Sequence, residues 1–396
     1  MQLERTSAEA LPEPHPDSLR HCARVTESLR KAIDTAGGSI GFGEFMQHAL
    51  YAPGLGYYVA GARKFGSDGD FITAPEVSPL FGQVLATQCA EILGGIPGGN
   101  ILELGAGSGA LAVQILGKLQ AIDCLPERYL ILDVSAELRQ RQQQLIGSQL
   151  PDLLGHVDWL QALPESFRGV VIANEVADAL PVERFLMNEG EVAQLRVACN
   201  ETGFHWQQAR APDWLQTGVR AIERYIGREL PSGYLSEFSP ALHGWIGDIA
   251  NSLQEGVVLL FDYGVARREY YAPDRHAGWL RCYFRHHAHD DPLLYPGIQD
   301  VTAWIDFTEV AEAAADAGME IGGYVTQSQF LLQGGLADEL ADFDQLDQTR
   351  QFELSRAVKL LTLPGEMGEH FKCIALSKGR ATVPEAMALC DRAHVL

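Results

Sequence analysis

The spacing of apolar positions divides the chain into one-sided helices and short, almost wholly apolar strands. Residues 17–36 place Leu19, Cys22, Val25, Leu29 and Ile33 near one helical face, and Gly37-Gly38 ends the pattern. Residues 39–51 read as a short helix before the turn Pro53-Gly54-Leu55-Gly56, and the aromatic density up to Tyr58 suits either a lid or a satellite core. Ser78 as cap and Pro79 in the first turn predict a helix over 78–93. Buried strands follow at 101–104, 129–134, 156–161, 170–175 and 256–264, with a sixth at 319–325 and a seventh, antiparallel, at 371–376. Helices over 110–120, 135–145, 240–254 and 308–317 alternate with them, which predicts an α/β fold. A β-branched run such as Val170-Val171-Ile172 belongs to a strand covered on both faces.

Two stretches break this rhythm. Residues 181–238 read as hairpins around Asn188-Glu189-Gly190 and Asn200-Glu201-Thr202-Gly203, then a helix over 212–228 and a strand over 233–238. They are expected to form an inserted β-rich, α+β subdomain over the crevice, with 264–306 as a second insertion. The remaining divisions are a disordered leader over 1–16, an N-terminal helical or cap segment over 17–98, and a core over 99–180, 239–263 and 307–379. A helical excursion over 328–363 and a short surface helix in the tail, 380–396, complete the reading.

Composition narrows the functions. A formal charge of −22 argues against affinity for a phosphate backbone, so no nucleic-acid substrate is expected. Seven cysteines are scattered and never spaced C-x-x-C, which suggests neither a disulfide framework nor a zinc site and makes the cytoplasm the simplest location. No apolar run reaches membrane-spanning length, so no membrane insertion is expected, and the N-terminus has neither signal nor transit character. His286, His287 and His289 lie beside Asp290 and Asp291 but lack zinc-protease spacing, so a hydrogen-bonded loop and no metal is expected there.

The candidate chemistry begins at Glu103-Leu104-Gly105-Ala106-Gly107-Ser108-Gly109, a glycine-rich turn between strand and helix. Its spacing differs from the dinucleotide pattern G-x-G-x-x-G, whose third glycine would fall at Ala110. Asp133, followed by Val134, ends the next strand where nucleotide-binding α/β folds place a carboxylate to accept ribose hydroxyls; capping of the following helix is the alternative. Asn174, Glu175 and Asp178 emerge at the carboxyl end of the fourth strand, and Asp262 and Tyr263 at that of the fifth, facing the crevice of an open sheet.

Gly69-Asp70-Phe71-Ile72-Thr73-Ala74-Pro75-Glu76, the glycine turn, and Ala173-Asn174-Glu175-Val176-Ala177-Asp178-Ala179-Leu180-Pro181-Val182 together resemble the MidA family of methyltransferases, over about residues 38–379. The resemblance implies a class I, Rossmann-like seven-stranded fold with S-adenosyl-L-methionine on the glycine turn. Glu103, Gly105, Ala106, Gly107, Gly109, Asp133, Val134, Thr73, Glu76 and Asn174 are then the expected cofactor residues, with Leu160 or Gln161 near the adenine edge. It also implies an arginine acceptor in a protein substrate, by family analogy a respiratory-complex subunit. A guanidinium requires carboxylates to orient its fork, so Glu175 is the first catalytic candidate, Asp178 and Asp262 follow, and Asn174 and Tyr263 supply further contacts. Methylation of a small molecule or another side chain, and a binding or assembly protein that holds the cofactor without turnover, are the competing readings.

Overall fold

The computed structural model describes residues 11–60 and 73–396, so Gly69 to Ile72 of the first motif and the start of the leader lie outside the described residues. Strands β1 (Asn100–Leu104), β2 (Tyr129–Leu132), β3 (Val157–Leu160), β4 (Phe167–Asn174), β5 (Leu253–Val265), β6 (Glu320–Thr326) and β7 (Phe371–Lys378) form one sheet in the order β3-β2-β1-β4-β5-β7-β6. The first five are mutually parallel, and β7 runs antiparallel to β5 and β6. A two-residue strand, Ile305–Asp306, adds an eighth, parallel to the end of β5. The strand order reverses between β1 and β4, so a crevice opens at their carboxyl ends.

Eight helices matter here: α1 (Pro16–Thr35), α2 (Phe42–Tyr51), α3 (Pro79–Gly94), α4 (Ala110–Ala121), α5 (Ala136–Gln149), α6 (Asp213–Ile226), α7 (Leu242–Ser252) and α8 (Phe307–Asp316). Side chains alternate across a strand, and the central strands follow this strictly. Ile101, Val170, Ile172 and Leu259 pack with Val84 of α3 and Ile115 of α4, whereas Leu102, Val171, Ala173 and Leu260 pack with Ile246 of α7 and Val310 of α8. Both faces are thereby covered, which is why these strands contain almost no polar residue.

The hairpins of the first insertion form as expected. Glu183–Asn188 and Glu191–Asn200 are joined by Glu189 (φ +49°) and Gly190 (φ +84°), the left-handed pair of a two-residue turn. Unexpectedly, the N-terminal segment joins this sheet through Ser39–Gly41, antiparallel to Glu191–Asn200. Phe42 and Phe45 of α2 share a core with Val197 of the first insertion and Leu280, Cys282 and Val301 of the second. Three stretches distant in sequence therefore build one cap. A three-residue strand is too short to declare itself by alternation, which is why the N-terminal segment looked separate.

The tail also differs from expectation. It forms two short 3-10 turns, Glu385–Met387 and Ala393–Val395, and Met387 is fully buried. Asp391 accepts from the backbone N–H of Tyr324, and Arg392 N–H donates to the Tyr324 carbonyl, so the tail lies along β6, the last strand of the sheet.

Just beyond β5, buried Arg267 donates to Asp306 at 2.7 Å and to Glu309 at 2.7 Å, and pairs with Glu312 at 2.7 Å. It ties the end of β5 to the start of α8. Replacing Arg267 with Leu leaves these carboxylates uncompensated, and urea unfolding should show a loss of about 3 kcal/mol. A loss below about 1 kcal/mol would place the ion cluster among ordinary surface pairs.

Candidate active site

The glycine turn needs left-handed backbone at each of its three glycines: Gly105 (φ +64°), Gly107 (φ +52°) and Gly109 (φ +87°). A Cβ on Gly105 would stand 2.9 Å from Val176 Cγ2, and one on Gly109 would stand 3.2 Å from the Cα of Gln142. Gly109 caps α4, so the turn delivers a helix N-terminus, with its free N–H groups, to the crevice.

Gln142 of α5, fully buried, carries no motif and connects the pieces around that turn. Its Nε2 donates to Asp133 Oδ2 at 2.9 Å and to the Gly107 carbonyl at 3.0 Å, while its Oε1 accepts from Trp159 Nε1 at 3.0 Å. Asp133 Oδ1 also accepts from Ser135 N–H at 2.9 Å. The cap of α5 is Ser135, whose hydroxyl accepts from Leu138 N–H. Asp133 is thus not the cap but sits at the cavity edge. Glu103 is buried beneath the turn, accepts from the Tyr129 hydroxyl at 2.7 Å, and is pushed up to about 7 by burial.

A cavity of about 820 Å³ runs along the carboxyl ends of the strands, a size suited to a cofactor with part of a second ligand. Thr73, Glu76, Glu103, Gly105, Ala106, Gly107, Asp133, Val134, Asn174 and Glu175 all line it. Val134 is 66% exposed there, an apolar surface open to a ligand face. Gly109 lies behind the turn against Gln142. Leu160 is not in the wall, and Leu163 is, because β3 stops at Leu160 and only the chain beyond it reaches the crevice.

At the end of β4, Glu175 adopts the left-handed conformation (φ +55°), rare for a side chain of its size, with its N–H donating to the Phe261 carbonyl. Its Oε1 accepts from Ala74 N–H at 3.4 Å and Asn174 Nδ2 at 3.3 Å, and its Oε2 accepts from the Tyr263 hydroxyl at 3.2 Å. Burial, and then the Asp262 carboxyl, push Glu175 up to about 8. Asn174 Oδ1 is buried without a hydrogen-bond partner. A buried acceptor left open in a cavity wall suits a ligand N–H.

Asp178 and Asp262 depart from the sequence expectation, since neither lines the cavity. Asp262 Oδ2 accepts from Ala177 N–H at 2.9 Å and Asp178 N–H at 3.1 Å, and its Oδ1 accepts from Tyr263 N–H at 2.9 Å. It holds the turn that presents Glu175. The 3-10 turn Ala177–Ala179 rotates Asp178 inward, where burial and Asp262 raise its pKa well above the carboxylate range. Sequence places three acids at strand ends without saying which of them the departing chain aims at the crevice.

Tyr51, Tyr58, Trp245 and Asp248 line the cavity and were not singled out. The aromatic stretch builds a satellite core, with Tyr57 inside it and Tyr51 and Tyr58 packed against it, and the last two also line the cavity. In the histidine loop, His287 Nδ1 contacts the Arg285 carbonyl and His289 Nδ1 accepts from Asp291 N–H. Among the described residues no three His, Cys, Asp or Glu side chains are grouped to hold a metal.

Glu175, Glu103 and Asp262 keep protons in the folded protein up to about 8, 7 and 7, above their ordinary 4.5, 4.5 and 3.8. The unfolded chain releases those protons earlier, so unfolding free energy should fall as pH rises from about 4.5 through 8. Urea unfolding of the ligand-free protein should give lower stability at pH 8.5 than at pH 6, with a shallower decline for Glu175→Gln. A rise over that interval would mean these carboxyls are ionised in the fold.

Residues 84–325 match the model of a family described as S-adenosyl-L-methionine-dependent methyltransferases. A crystal structure of a superfamily protein from Burkholderia thailandensis, described as a "likely methyl transferase" and bound to S-adenosyl-homocysteine, is 39% identical with a TM-score of 0.93, covering 98% of this chain and 100% of its own. A native structure of a superfamily protein from the same organism is 38% identical with a TM-score of 0.90, over the same shares. Among curated proteins, the Drosophila melanogaster "Protein arginine methyltransferase NDUFAF7 homolog, mitochondrial" is 28% identical over 389 residues, 90% of this chain and 85% of that protein. The Rattus norvegicus "Protein arginine methyltransferase NDUFAF7, mitochondrial" is 26% identical over 410 residues, 91% of this chain and 86% of that protein. With a match over more than half its length and a sheet in the order β3-β2-β1-β4-β5-β7-β6, the chain belongs to this family of S-adenosyl-L-methionine-dependent methyltransferases.

Proposed function

We propose that this enzyme methylates an arginine side chain of a protein. The observation that carries the reading is the pairing, in one cavity wall, of the Glu175 carboxyl with the partnerless Asn174 Oδ1, two acceptors suited to the edge of a guanidinium. The names of the curated relatives point the same way.

The residues present fit the cofactor. The glycine turn and the N-terminus of α4 would take its charged end, Asp133 its ribose hydroxyls, and Val134 and Leu163 the faces of its adenine. When bound, it supplies a methyl group on a sulfonium, an electrophile that needs no metal. The protein's part is alignment: Glu175 and Asn174 take the guanidinium N–H groups and aim one nitrogen along the transfer line. That nitrogen must lose a proton as the new C–N bond forms, and Glu175, held by Tyr263 and ionised once the guanidinium charge lies beside it, is placed to accept it.

The protein substrate is the partner, and a respiratory-complex subunit is what the family resemblance implies. Among the described residues no helix is long and apolar enough to cross a membrane. The seven cysteines are free, which fits a reducing compartment such as the cytoplasm, while "mitochondrial" in the relatives' names describes those proteins.

Calorimetry should show saturable S-adenosyl-L-methionine binding, weakened about tenfold or more, roughly 1.4 kcal/mol, by Asp133→Ala and by Gln142→Leu. Unchanged affinity in both variants would remove Asp133 and its anchor from the cofactor site. Glu175→Gln should keep that affinity and lose about 100-fold or more in kcat. With labelled cofactor and a cell lysate, label should appear in protein arginine; label confined to small molecules would overturn the arginine reading.

A further inference from the structure

We propose that Tyr51 and Tyr58 form the aromatic wall against which the plane of the acceptor guanidinium lies, and that Asp300, in the second insertion, is the positioning residue for Tyr58. This rests on the arginine reading above and names the part of the site that recognises the acceptor. The two rings are stacked, with centroids 5.4 Å apart and planes 23° from parallel, and both line the cavity that also contains Asn174 and Glu175. Both side chains are half-buried, and their hydroxyls are committed behind the wall. Tyr51 donates to the Ala179 carbonyl at 2.9 Å, and Tyr58 donates to Asp300 Oδ1 at 2.8 Å.

These anchors have different origins and a common effect. Ala179 ends the turn that begins at Glu175, so the Tyr51 bond fixes the aromatic wall to the chain segment carrying the carboxyl. Asp300 is buried at the start of the strand Asp300–Ala303, and its Oδ1 also accepts from Val301 N–H at 3.0 Å, which sets the carboxylate before Tyr58 meets it. Anchoring the hydroxyl fixes where each ring's long axis lies, and the stacking of the two rings holds their faces. A guanidinium has two recognition surfaces, a weakly hydrated planar face that stacks on aromatic rings and an edge of N–H donors that requires acceptors. The tyrosine pair offers the first match, and Glu175 with Asn174 offers the second. A lysine ammonium has no plane to stack, so the wall selects arginine over lysine.

The probes are methylguanidinium and methylammonium, titrated by calorimetry or ligand-observed NMR into the full chain saturated with S-adenosyl-homocysteine. Wild type should bind methylguanidinium at least tenfold more tightly than methylammonium. Tyr58→Leu should reduce methylguanidinium affinity at least fivefold while changing the S-adenosyl-homocysteine Kd less than twofold, which also reports that the variant is folded. Tyr58→Phe and Asp300→Ala, which keep the ring and remove the donor and the acceptor of its tether, should each weaken methylguanidinium, and the double variant no further than either alone. A Tyr58→Leu protein that loses S-adenosyl-homocysteine affinity instead would make the pair a cofactor wall and overturn the proposal. So would unchanged methylguanidinium binding in Tyr58→Leu, or additive effects of Tyr58→Phe and Asp300→Ala. Absence of labelled arginine in the lysate experiment would defeat the arginine reading itself, whereas labelled arginine with unaltered methylguanidinium binding in the variants would defeat the wall alone.

Discussion

One buried carboxyl fixes the geometry on which the site depends. Asp262 gathers three backbone N–H groups, from Ala177, Asp178 and Tyr263, and so joins the end of β5 to the turn leaving β4. That turn begins with Glu175 in a left-handed conformation that a glutamate adopts only when its surroundings enforce it. Burial has a cost, visible in Asp262 being pushed up to about 7 and Glu175 to about 8. The fold accepts crowded carboxyls at one sheet end and gains a fixed direction for the one that faces the cavity.

The rest of the site is assembled around this junction from remote parts of the chain. The cofactor side is local, built by consecutive strand ends and tied together by Gln142. The opposite wall comes from α2 and the loop after it, steadied by Asp300 some 240 residues away along the chain. This explains why the N-terminal segment and both insertions share one hydrophobic core. A cap built of independent pieces would allow Tyr51 and Tyr58 to drift relative to Glu175.

Much of this was legible in the sequence, and what was not has specific causes. The central strands announce themselves because every residue from Val170 to Ala173 must face one apolar layer or the other. The glycine turn is legible because Gly105, Gly107 and Gly109 all occupy backbone that other residues resist. Side-chain direction was the harder matter. Asn174, Glu175, Asp178 and Asp262 look equivalent as polar residues at strand ends, yet Asn174 and Glu175 line the cavity, the turn after β4 carries Asp178 inward, and Asp262 of β5 is taken up by backbone N–H groups. Gln142 was hidden because a polar residue on a helix reads as solvent-facing until a glycine backbone is seen pressed against it. Leu163 lost to Leu160 in the reading because strand ends carry an uncertainty of a few residues, enough to move a wall contact by one turn of loop.

The tail lying along β6 has a consequence for how the sheet meets other chains. A mixed sheet of this width presents an unpaired row of backbone groups at each border, a template on which a neighbouring chain can add a strand. At one border β3 is only four residues long, which offers little to pair with. At the other, the seven-residue β6 has both backbone groups of Tyr324 occupied by Asp391 and Arg392, with Val383 against Gly322 and Met387 against Gly323. The tail thus acts as a built-in terminator of the sheet, covering the middle of a border on which a second molecule could pair, while the carboxyl ends of the strands stay open to substrate.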